Sequence, residues 1–241
     1  MKHAPHEIII QSEAVICSHP PAPESAMLFL RDEGVAVLME DFRAMQQLYQ
    51  SAIKEITTKL EILDEEFQIR HDHNPIRNIE SRLKSPQSIA NKLERLGYPL
   101  SVNSAKQRLH DIAGVRVICN YIDDIYRMVR MIQTQDDLTT ICTKDYIANP
   151  KPNGYRSYHL ILSVPVFLAD RTQKVPVELQ LRTVAMDSWA SLEHHIRYKS
   201  STNATQSLQR RLAKNADVLA AIDADMQDIY QTMNRLETKT T

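Results

Sequence analysis

The sequence predicts an α+β domain: a mixed β-sheet of about five strands flanked by helices, with a long helix at each end. Between residues 79 and 182, short apolar stretches that alternate with polar residues, as strands do, are separated by segments with helical spacing. Two proline-free segments with helical apolar spacing bracket this region. At 241 residues, the chain is long enough for one sizeable core with helical additions.

Charge and cysteine content argue against several classes of protein. The 29 basic and 30 acidic residues nearly balance, which argues against a protein that coats nucleic acid. No apolar run approaches the length that spans a bilayer, and the N-terminus lacks the pattern of a secretory signal. The cysteines lack metal-ligand spacing: Cys17, Cys119 and Cys142. We therefore expect a cytoplasmic protein without membrane association.

The first third of the chain is predicted to contain an extension, a long helix and a short helix. Residues 1–25 are weakly patterned and end in a proline cluster, which predicts a poorly ordered extension. From Ser25 to Arg70 the apolar spacing predicts one long helix, which could break near Gly34. An extended piece follows from Ile79 to Lys84. The next helix has an N-cap, a first-turn proline and a terminal glycine: Ser85, Pro86 and Gly97.

The remaining elements follow the two periodicities of strands and helices. Strands are predicted at 113–119, 138–146, 160–166 and 174–182. Helices are predicted at 123–135, 183–199 and 205–236. The last helix carries an apolar stripe too long for one small sheet to cover, so we expect it to pack on the N-terminal helix or on another subunit.

The stretch from Lys151 to His159, which reads KPNGYRSYH, is the most informative local feature. A turn at residues 152–154 precedes a strand, so three polar side chains should share one face: Tyr155, Ser157 and His159. With Lys151 and Arg156 at the margin, a flat ring, a hydroxyl and an imidazole suit a nucleobase and its phosphates. The alternative is a tyrosine-rich strand edge with ordinary surface cations, and this segment alone leaves both interpretations open.

A second cluster is cationic. Between Arg82 and Arg116 the basic residues far outnumber the acidic ones, which are only Glu94 and Asp111. On the helix that follows Ser85, a polar stripe recurs at steps of four and three: Ser88, Lys92 and Arg95. With Arg82 and Lys84 beside it, this stripe could hold a triphosphate. A solvated helix face is the alternative.

Carboxylates from different strands complete a set for phosphate chemistry. Asp111 precedes one strand, and Glu178 and Gln180 lie on the polar face of another. A glutamate inside an apolar strand is costly unless its face is wet or binds a metal. Mg²⁺ takes one or two carboxylates together with phosphate oxygens. Cations, Mg²⁺ and a carboxylate base are the components of phosphoryl or pyrophosphoryl transfer, although no Walker or kinase glycine loop is present.

Five segments resemble, in order, the motifs of the RelA/SpoT synthetase domain. They are Arg82-Leu-Lys84-Ser85-Pro86-Gln87-Ser88, His110-Asp111-Ile-Ala-Gly-Val-Arg116, the stretch 151–159, Val177-Glu178-Leu-Gln180-Leu-Arg182-Thr183 and Trp189-Ala-Ser-Leu-Glu193-His194. The resemblance covers roughly residues 40 to 235 and is greatest to single-domain small alarmone synthetases of the RelP (YwaC) branch. Five ordered motifs are far more specific than any one of them.

The resemblance implies transfer of the β,γ-pyrophosphate of ATP to the ribose 3′-hydroxyl of GDP or GTP, which yields ppGpp or pppGpp and AMP. It implies that Asp111 and Glu178 bind Mg²⁺ and are catalytic, with Glu178 activating the 3′-hydroxyl. It assigns ATP to Arg82, Lys84, Ser88, Lys92, Arg95 and Arg116, with the two arginines on either side of the adenine. It assigns the acceptor to Lys151, Tyr155, His159, Gln180, Arg182 and Glu193, with the tyrosine stacked on the guanine.

The resemblance also implies a homotetramer built through the terminal helices. The synthetase domain would then span 26–204 and the oligomerisation helix 205–241. Regulation by RNA or by (p)ppGpp is compatible with the resemblance, but no feature of the sequence identifies either as a partner.

Alternative functions stay open on the sequence. A toxic relative would pyrophosphorylate adenine nucleotides or the 3′ end of tRNA, and a tRNA acceptor would favour a broader basic surface. A phosphohydrolase would use His110 and Asp111 but needs further ligands that are not found. A non-catalytic nucleotide or RNA sensor has no need of Glu178. The extra histidines could bind a regulatory metal or lie on the surface: His71, His73, His194 and His195.

Overall fold

The structure is a computed structural model that describes residues 32–199 and 206–237, with side chains from 39–196 and 207–236. Its helices are α1 (Asp32–Arg70), α2 (Pro86–Arg95), α3 (Val102–Arg108), α4 (Ile122–Gln133), α5 (Val184–Lys199) and α6 (Gln206–Glu237). Its strands are β1 (Ile76–Leu83), β2 (Ala113–Cys119), β3 (Thr139–Asp145), β4 (Tyr158–Phe167) and β5 (Thr172–Thr183). The predicted extension and the predicted helix starts at Ser25 and Thr205 lie outside the described residues.

The strands form one mixed five-stranded sheet in the order β1-β2-β5-β4-β3. β2 and β5 run parallel, whereas the other neighbouring pairs are antiparallel. Because parallel neighbours cannot be joined by a tight turn, the chain crosses over between β2 and β5 through α4, β3 and β4. The predicted α+β class with a mixed sheet is confirmed.

The core lies between one face of this sheet and the helices α1 and α4. In β5, Val177, Leu179 and Leu181 are fully buried, and Glu178 and Gln180 alternate with them on the other face. The helices supply large buried side chains: Met45, Tyr49 and Ile56 from α1, and Ile125, Met128 and Ile132 from α4. The opposite face of the sheet carries polar side chains in the middle of the molecule.

The positions of α2 and β2 were predicted correctly, from the capping residues of the helix and from the strand pattern at 113–119. The Ser85 hydroxyl accepts a hydrogen bond from the Ser88 backbone N–H at 3.3 Å, and Gly97 follows the helix with a φ of 72°. Other elements differ from the prediction. β1 begins at Ile76 rather than at Ile79, α1 runs through Gly34 without a break, and the short helix α3 was not predicted.

The last helix, α6, has one packed face and one open face. Ala216 on its packed face joins a small apolar cluster with Trp189 and Ala190 of α5. Its other face leaves a stripe of apolar side chains exposed: Val218, Ile222, Met226, Ile229 and Met233. Among the described residues, no helix combines the length and the apolar character needed to cross a membrane.

Candidate active site

The polar face of the sheet gathers predicted site residues from separate parts of the chain. β2 and β4 both border β5, so polar residues of these three strands become neighbours. Gly114 lies opposite Glu178 between β2 and β5, and His159 lies opposite Gln180 between β4 and β5. β1 with the residue that follows it, the loops before β2 and β4, and the helices α2 and α5 supply the remaining groups.

The first half of the site, which we call the β4–β5 side, comprises Lys151, Tyr155, His159, Gln180, Arg182 and Glu193. Glu178 lies at its inner end: its Oε1 is 3.2 Å from His159 Nδ1, and its Oε2 accepts from Gln180 Nε2 at 2.7 Å. Arg182 is buried and donates to Gln180 Oε1 at 2.9 Å and to the Tyr155 hydroxyl at 2.8 Å. That hydroxyl lies 2.8 Å from His159 Nε2.

These contacts form one consistent chain of hydrogen bonds. Arg182 can only donate, so the Tyr155 oxygen accepts a hydrogen bond from it. The Tyr155 hydroxyl can then donate a hydrogen bond to Nε2 of a neutral His159. His159 then carries its own proton on Nδ1 and donates it to Glu178, which as a carboxylate only accepts. This arrangement accommodates a neutral imidazole beside a carboxylate and fixes the orientation of the Tyr155 ring.

The ionisation of the two buried groups agrees with this chain. Burial lowers the pKa of His159 below its ordinary value, although the neighbouring Glu178 opposes the shift. Burial disfavours the charge of Glu178, but hydrogen bonds from His159 and Gln180 outweigh burial and hold the pKa of that carboxyl below its usual range. At neutral pH, Glu178 is ionised and His159 is neutral.

Lys151 closes the outer edge of the β4–β5 side. Its Nζ lies 4.5 Å from the ring centre of Tyr146 and 4.8 Å from that of Tyr155, which are cation–π distances. Partial burial lowers the pKa of Lys151. Glu193 reaches the same loop, where Asn153 Nδ2 donates to its Oε1 at 3.5 Å. The structure thus brings together all six residues that were predicted to bind an acceptor.

The second half of the site, which we call the α2 side, comprises Arg82, Lys84, Ser88, Lys92, Arg95 and Arg116. Two of its lysines converge on Asp111: Lys84 Nζ donates to Oδ2, and Lys92 Nζ lies 2.7 Å from the same oxygen. Burial opposes the charge of Asp111, but the hydrogen bonds from the two lysines outweigh it and lower the pKa of Asp111. Burial in turn lowers the pKa of Lys84.

Two arginines of the α2 side, Arg82 and Arg116, line a small cleft over β1 and β2. Glu80 pairs with Arg116 across these strands, and Arg82 pairs with Gly114. Arg82 packs over Gly114, where a methyl group would make ordinary van der Waals contact with Arg82 Cγ and Nε at 3.5 Å. Arg116 NH1 donates to Glu80 Oε2 at 3.2 Å, and Gln180 of β5 also lines the cleft. Arg82 and Arg116 therefore line a common space.

Ser88 and Arg95 share α2 with Lys92, as the helical spacing predicted, and both are exposed. The Ser88 hydroxyl accepts from the Ser85 hydroxyl at 2.8 Å. The α2 side is therefore an open charged surface arranged around a half-buried carboxylate.

Sequence reasoning missed Asp187, which joins the two sides. Its Oδ1 accepts from Arg182 NH1 at 2.9 Å and forms an ion pair with Arg116 NH1 at 3.2 Å. It lies in the first turn of α5, so an acidic residue at a helix start shortly after Arg182 was the available signal. Ser157, by contrast, does not face the site. It is fully buried and donates to the Leu181 carbonyl at 3.1 Å.

The surroundings of Asp111 and Glu178, where the sequence predicts Mg²⁺, are compatible with a bound cation. Asp111 Oδ1 is buried and lacks a hydrogen-bond partner among the described residues, so it is available to a cation. The charge of Asp111 opposes ionisation of Glu178, so the two carboxylates are near enough to interact. The described residues contain no metal-binding group of three or more His, Cys, Asp or Glu. A pair of carboxylates suits an ion that is held partly by phosphate.

The extra histidines do not gather at a metal site. His73 Nε2 lies 2.8 and 2.9 Å from the two oxygens of Asp124, so its ring is engaged with a buried carboxylate. His194 and His195 are exposed on α5. Within the described side chains, these residues and His71 form no metal-binding cluster.

The fold and the site define an α+β domain built to bind polyphosphate, with paired carboxylates between two sets of cations. The family described as a region found in RelA / SpoT proteins matches residues 81–203. The chain is 43% identical over 202 residues to GTP pyrophosphokinase YwaC of Bacillus subtilis (strain 168), and this match covers 84% of this chain and 96% of that protein. The chain belongs to the RelA/SpoT family.

Solved structures share the fold. The crystal structure of small alarmone synthetase 1 from Bacillus subtilis bound to its product pppGpp superposes with a TM-score of 0.75 at 33% sequence identity, covering 80% of this chain and 98% of that one. The same synthetase bound to AMPCPP gives a TM-score of 0.69 at 28% identity, covering 81% and 98%. The similarity therefore extends well beyond the residues of the family match.

Proposed function

We propose that the protein is a (p)ppGpp synthetase, a GTP diphosphokinase of the small alarmone synthetase type. It transfers the β,γ-pyrophosphate of ATP to the ribose 3′-hydroxyl of GDP or GTP and releases AMP. The observation that carries this proposal is Glu178, an ionised carboxylate on the central strand with the β4–β5 side on one flank and β2 on the other. The relative named GTP pyrophosphokinase and the synthetase that holds pppGpp support the same reaction.

The β4–β5 side binds the acceptor in this proposal. The Tyr155 ring, held by Arg182 and His159, offers a flat face on which guanine can stack. Lys151 supplies positive charge for the acceptor phosphates. Both nitrogens of His159 are engaged in the network, so a phosphate oxygen would have to replace one of its partners. The remaining members complete the pocket: Gln180, Arg182 and Glu193.

The α2 side binds ATP. Lys84 and Lys92 exchange the Asp111 carboxylate for phosphate oxygens when the donor enters, because a triphosphate carries more charge than one carboxylate. The structure of the related synthetase with AMPCPP, an ATP analogue, supports a donor site in this fold. The other members act on the phosphates or on the base: Ser88 and Arg95 on the phosphates, Arg82 and Arg116 on either side of the adenine.

Glu178 then acts as the base. It takes the proton of the 3′-hydroxyl while that oxygen attacks the β-phosphorus of ATP, and the bond between the β-phosphorus and the bridging oxygen of AMP breaks. A carboxylate with a low pKa is a weak base, so its position against the hydroxyl contributes more than its basicity. Bound by Asp111 and Glu178, Mg²⁺ would supply neutralisation of phosphate charge.

The proposal includes assembly and location. The exposed apolar stripe of α6 supports a homotetramer, with 26–204 as the synthetase domain and 205–241 as the oligomerisation helix. We place the reaction in the cytoplasm, where its nucleotide substrates are made. Light scattering of the purified protein should give the mass of four chains, and a monomer would contradict this part of the proposal.

The experiment that tests the reaction follows two labels. The protein is incubated with Mg²⁺ and γ-labelled or α-labelled ATP, and with GDP, GTP or deacylated tRNA as acceptor. The γ label should appear in a guanosine tetra- or pentaphosphate, and the α label should appear in an equal amount of AMP. GTP that lacks the 3′-hydroxyl is the matched control and should accept nothing.

The other outcomes are equally informative. Label on tRNA would assign the protein to the toxic relatives and contradict alarmone synthesis. Nucleotide binding without transfer to any acceptor would favour a sensor. Release of free pyrophosphate without an acceptor product would indicate a hydrolase.

A further inference from the structure

The loop of residues 151–155 carries Lys151 and Tyr155, and its shape is set by its own hydrogen bonds. The Gly154 N–H donates to the Lys151 carbonyl at 2.8 Å, and the Lys151 N–H donates to the Tyr155 carbonyl at 3.2 Å. The Tyr155 N–H donates to the Asn153 side-chain oxygen at 3.2 Å. These bonds close the loop but do not determine where it sits on the protein. Its position depends on what it packs against.

The loop packs directly on α6. Gly154 has a φ of 90°, a conformation that favours glycine. A methyl group added there would lie 2.6 Å from Ala216 Cβ and 3.3 Å from Ala213 Cα, both on α6. No side chain fits between the two backbones. The absence of a side chain at Gly154 and the small size of Ala216 together set the distance between the loop and the helix.

Further contacts hold the loop and its neighbours against α6. Arg156 NH1 donates to the Gly154 carbonyl at 3.2 Å, and its NH2 donates to Asp217 Oδ1 of α6 at 3.0 Å. On the other flank, Trp189 Nε1 donates to the Leu212 carbonyl of α6 at 3.0 Å. The Tyr155 ring packs against the apolar cluster that contains Trp189 and Ala216. The ring assigned to guanine therefore rests on α6 as well as on Arg182.

We propose that α6 positions the acceptor loop and thereby sets the affinity for the acceptor nucleotide, with Ala216 as the main positioning residue and Asp217 as a weaker one. The inference rests on the proposed function, because it assumes that Tyr155 and Lys151 bind the acceptor. It adds a second role to the helix beyond assembly. Ala216 packs against Gly154 and Trp189, and Asp217 pairs with Arg156, all next to the acceptor loop, so the effect should be confined to the acceptor.

The test compares Ala216→Val with Ala221→Val. Both substitutions add the same two methyl groups to α6 and cost the same helix propensity, but Ala216 is buried against the loop and Ala221 is exposed. Ala216→Val should raise the KM for GDP or GTP about tenfold, as expected when a tight contact is overfilled, with the KM for ATP unchanged. Ala221→Val should change neither. Asp217→Asn should raise the acceptor KM about twofold against the exposed control Asp225→Asn.

Binding is measured separately from turnover by the fluorescence of Trp189, which is the one tryptophan in the chain. Because Trp189 packs in the cluster with Tyr155, GDP should change its emission, and Ala216→Val should weaken the apparent Kd by the same factor as the KM. A lower kcat with an unchanged acceptor KM and Kd would show that Ala216 is merely structural and would overturn the inference. Wild-type protein that binds GDP but makes no product would contradict the proposed reaction alone. Wild-type protein that binds no guanine nucleotide would overturn both.

Discussion

The two sides of the site differ in how they are held before a nucleotide binds. On the β4–β5 side, Arg182 is linked to Glu178 through Gln180 by side-chain hydrogen bonds along β5. Tyr155 is linked to the same carboxylate through Arg182 and through His159 of β4. On the α2 side, Ser88 and Arg95 are exposed on a helix surface, and the lysines are gathered only by ion pairs with one carboxylate. The β4–β5 side is ordered by its own hydrogen bonds. The lysines of the α2 side are ordered by Asp111, which the phosphates of a bound nucleotide would replace.

This difference predicts different kinds of binding. The β4–β5 side is ordered before the acceptor binds, so it loses little conformational freedom on binding. Its affinity therefore depends on the precision of its contacts. A side made of clustered cations depends on charge, so its affinity should fall as salt rises. Asp187 accepts a hydrogen bond from Arg182 and forms an ion pair with Arg116, so it is the physical link between the two sides.

The largest effect is expected at Glu178, where the two sides meet. Glu178→Gln keeps the shape and the acceptor oxygen toward His159 but removes the charge that takes the 3′ proton. Turnover should fall by about 10²–10⁴-fold, the usual contribution of a general base, while GDP binding stays within about threefold of wild type. Steady-state kinetics and Trp189 fluorescence measure the two quantities. Unchanged turnover would remove Glu178 from the mechanism.

Asp111→Asn separates the two roles of the Asp111 carboxylate, which are the proposed binding of Mg²⁺ and the pairing with Lys84 and Lys92. With Mg²⁺, turnover should fall about 10²-fold, because a ligand of the proposed metal is lost. In EDTA, ATP binding should instead tighten several-fold, about one kcal/mol, because Lys84 and Lys92 no longer need to leave a charged partner. Calorimetric titration of ATP with and without metal checks both signs. Weaker ATP binding in EDTA would show that Asp111 organises the lysines rather than competing for them.

Tyr155→Phe tests whether the hydrogen bonds that order the β4–β5 side before the acceptor binds contribute to its affinity. The ring for stacking remains, but Arg182 loses an acceptor and His159 Nε2 loses a donor. The acceptor KM should rise about five- to tenfold, as expected for a net loss of about 1 kcal/mol from these hydrogen bonds, with the KM for ATP unchanged. Tyr146→Phe is the matched control. Its ring also lies beside Lys151, and removal of its hydroxyl should change the acceptor KM less than twofold.

Local patterns in the sequence predicted the fold because they follow from backbone geometry. Alternation in 174–182 placed Glu178 and Gln180 opposite the core, and the cap at Ser85 placed the start of α2. The alternation that was expected after Gly154 was wrong for Ser157. β4 begins only at Tyr158, and the loop before it does not have the alternating geometry of a strand. The helix α3 was missed because its seven residues carry little periodic signal.

The contacts between distant segments could not be predicted from residue spacing. Asp187 meets Arg116 only because β2 and β5 are parallel neighbours, and that order is set by packing of the whole sheet. Gly154 was interpreted as a turn residue, yet it also allows the close approach of α6, which lies far along the chain. The five ordered motifs identified the members of the site, whereas their mutual hydrogen bonds came from the structure.

The smallest predicted effect is a change in thermal stability on substitution of Asp223. This residue of α6 contacts the end of β5, next to the β4–β5 side. Its carboxylate accepts from the Thr183 hydroxyl at the end of β5, and burial raises its pKa although that hydrogen bond opposes the shift. A raised pKa means that the folded protein holds the charge less favourably than the unfolded chain does. The resulting cost is present above the folded-state pKa and disappears as the pH falls through the ordinary aspartate value, about 3.9.

Asp223→Asn should therefore stabilise the protein at neutral pH, because asparagine still accepts from Thr183 but carries no charge. We expect a rise in Tm of up to about 2 °C at neutral pH that shrinks to nothing near pH 4, measured by thermal unfolding across that range. Asp225→Asn on the exposed face of α6 should change neither value. A loss of stability at neutral pH would mean that the charged form of Asp223 stabilises the junction between α6 and β5, so that this end of the site would be held by charge, as the α2 side is.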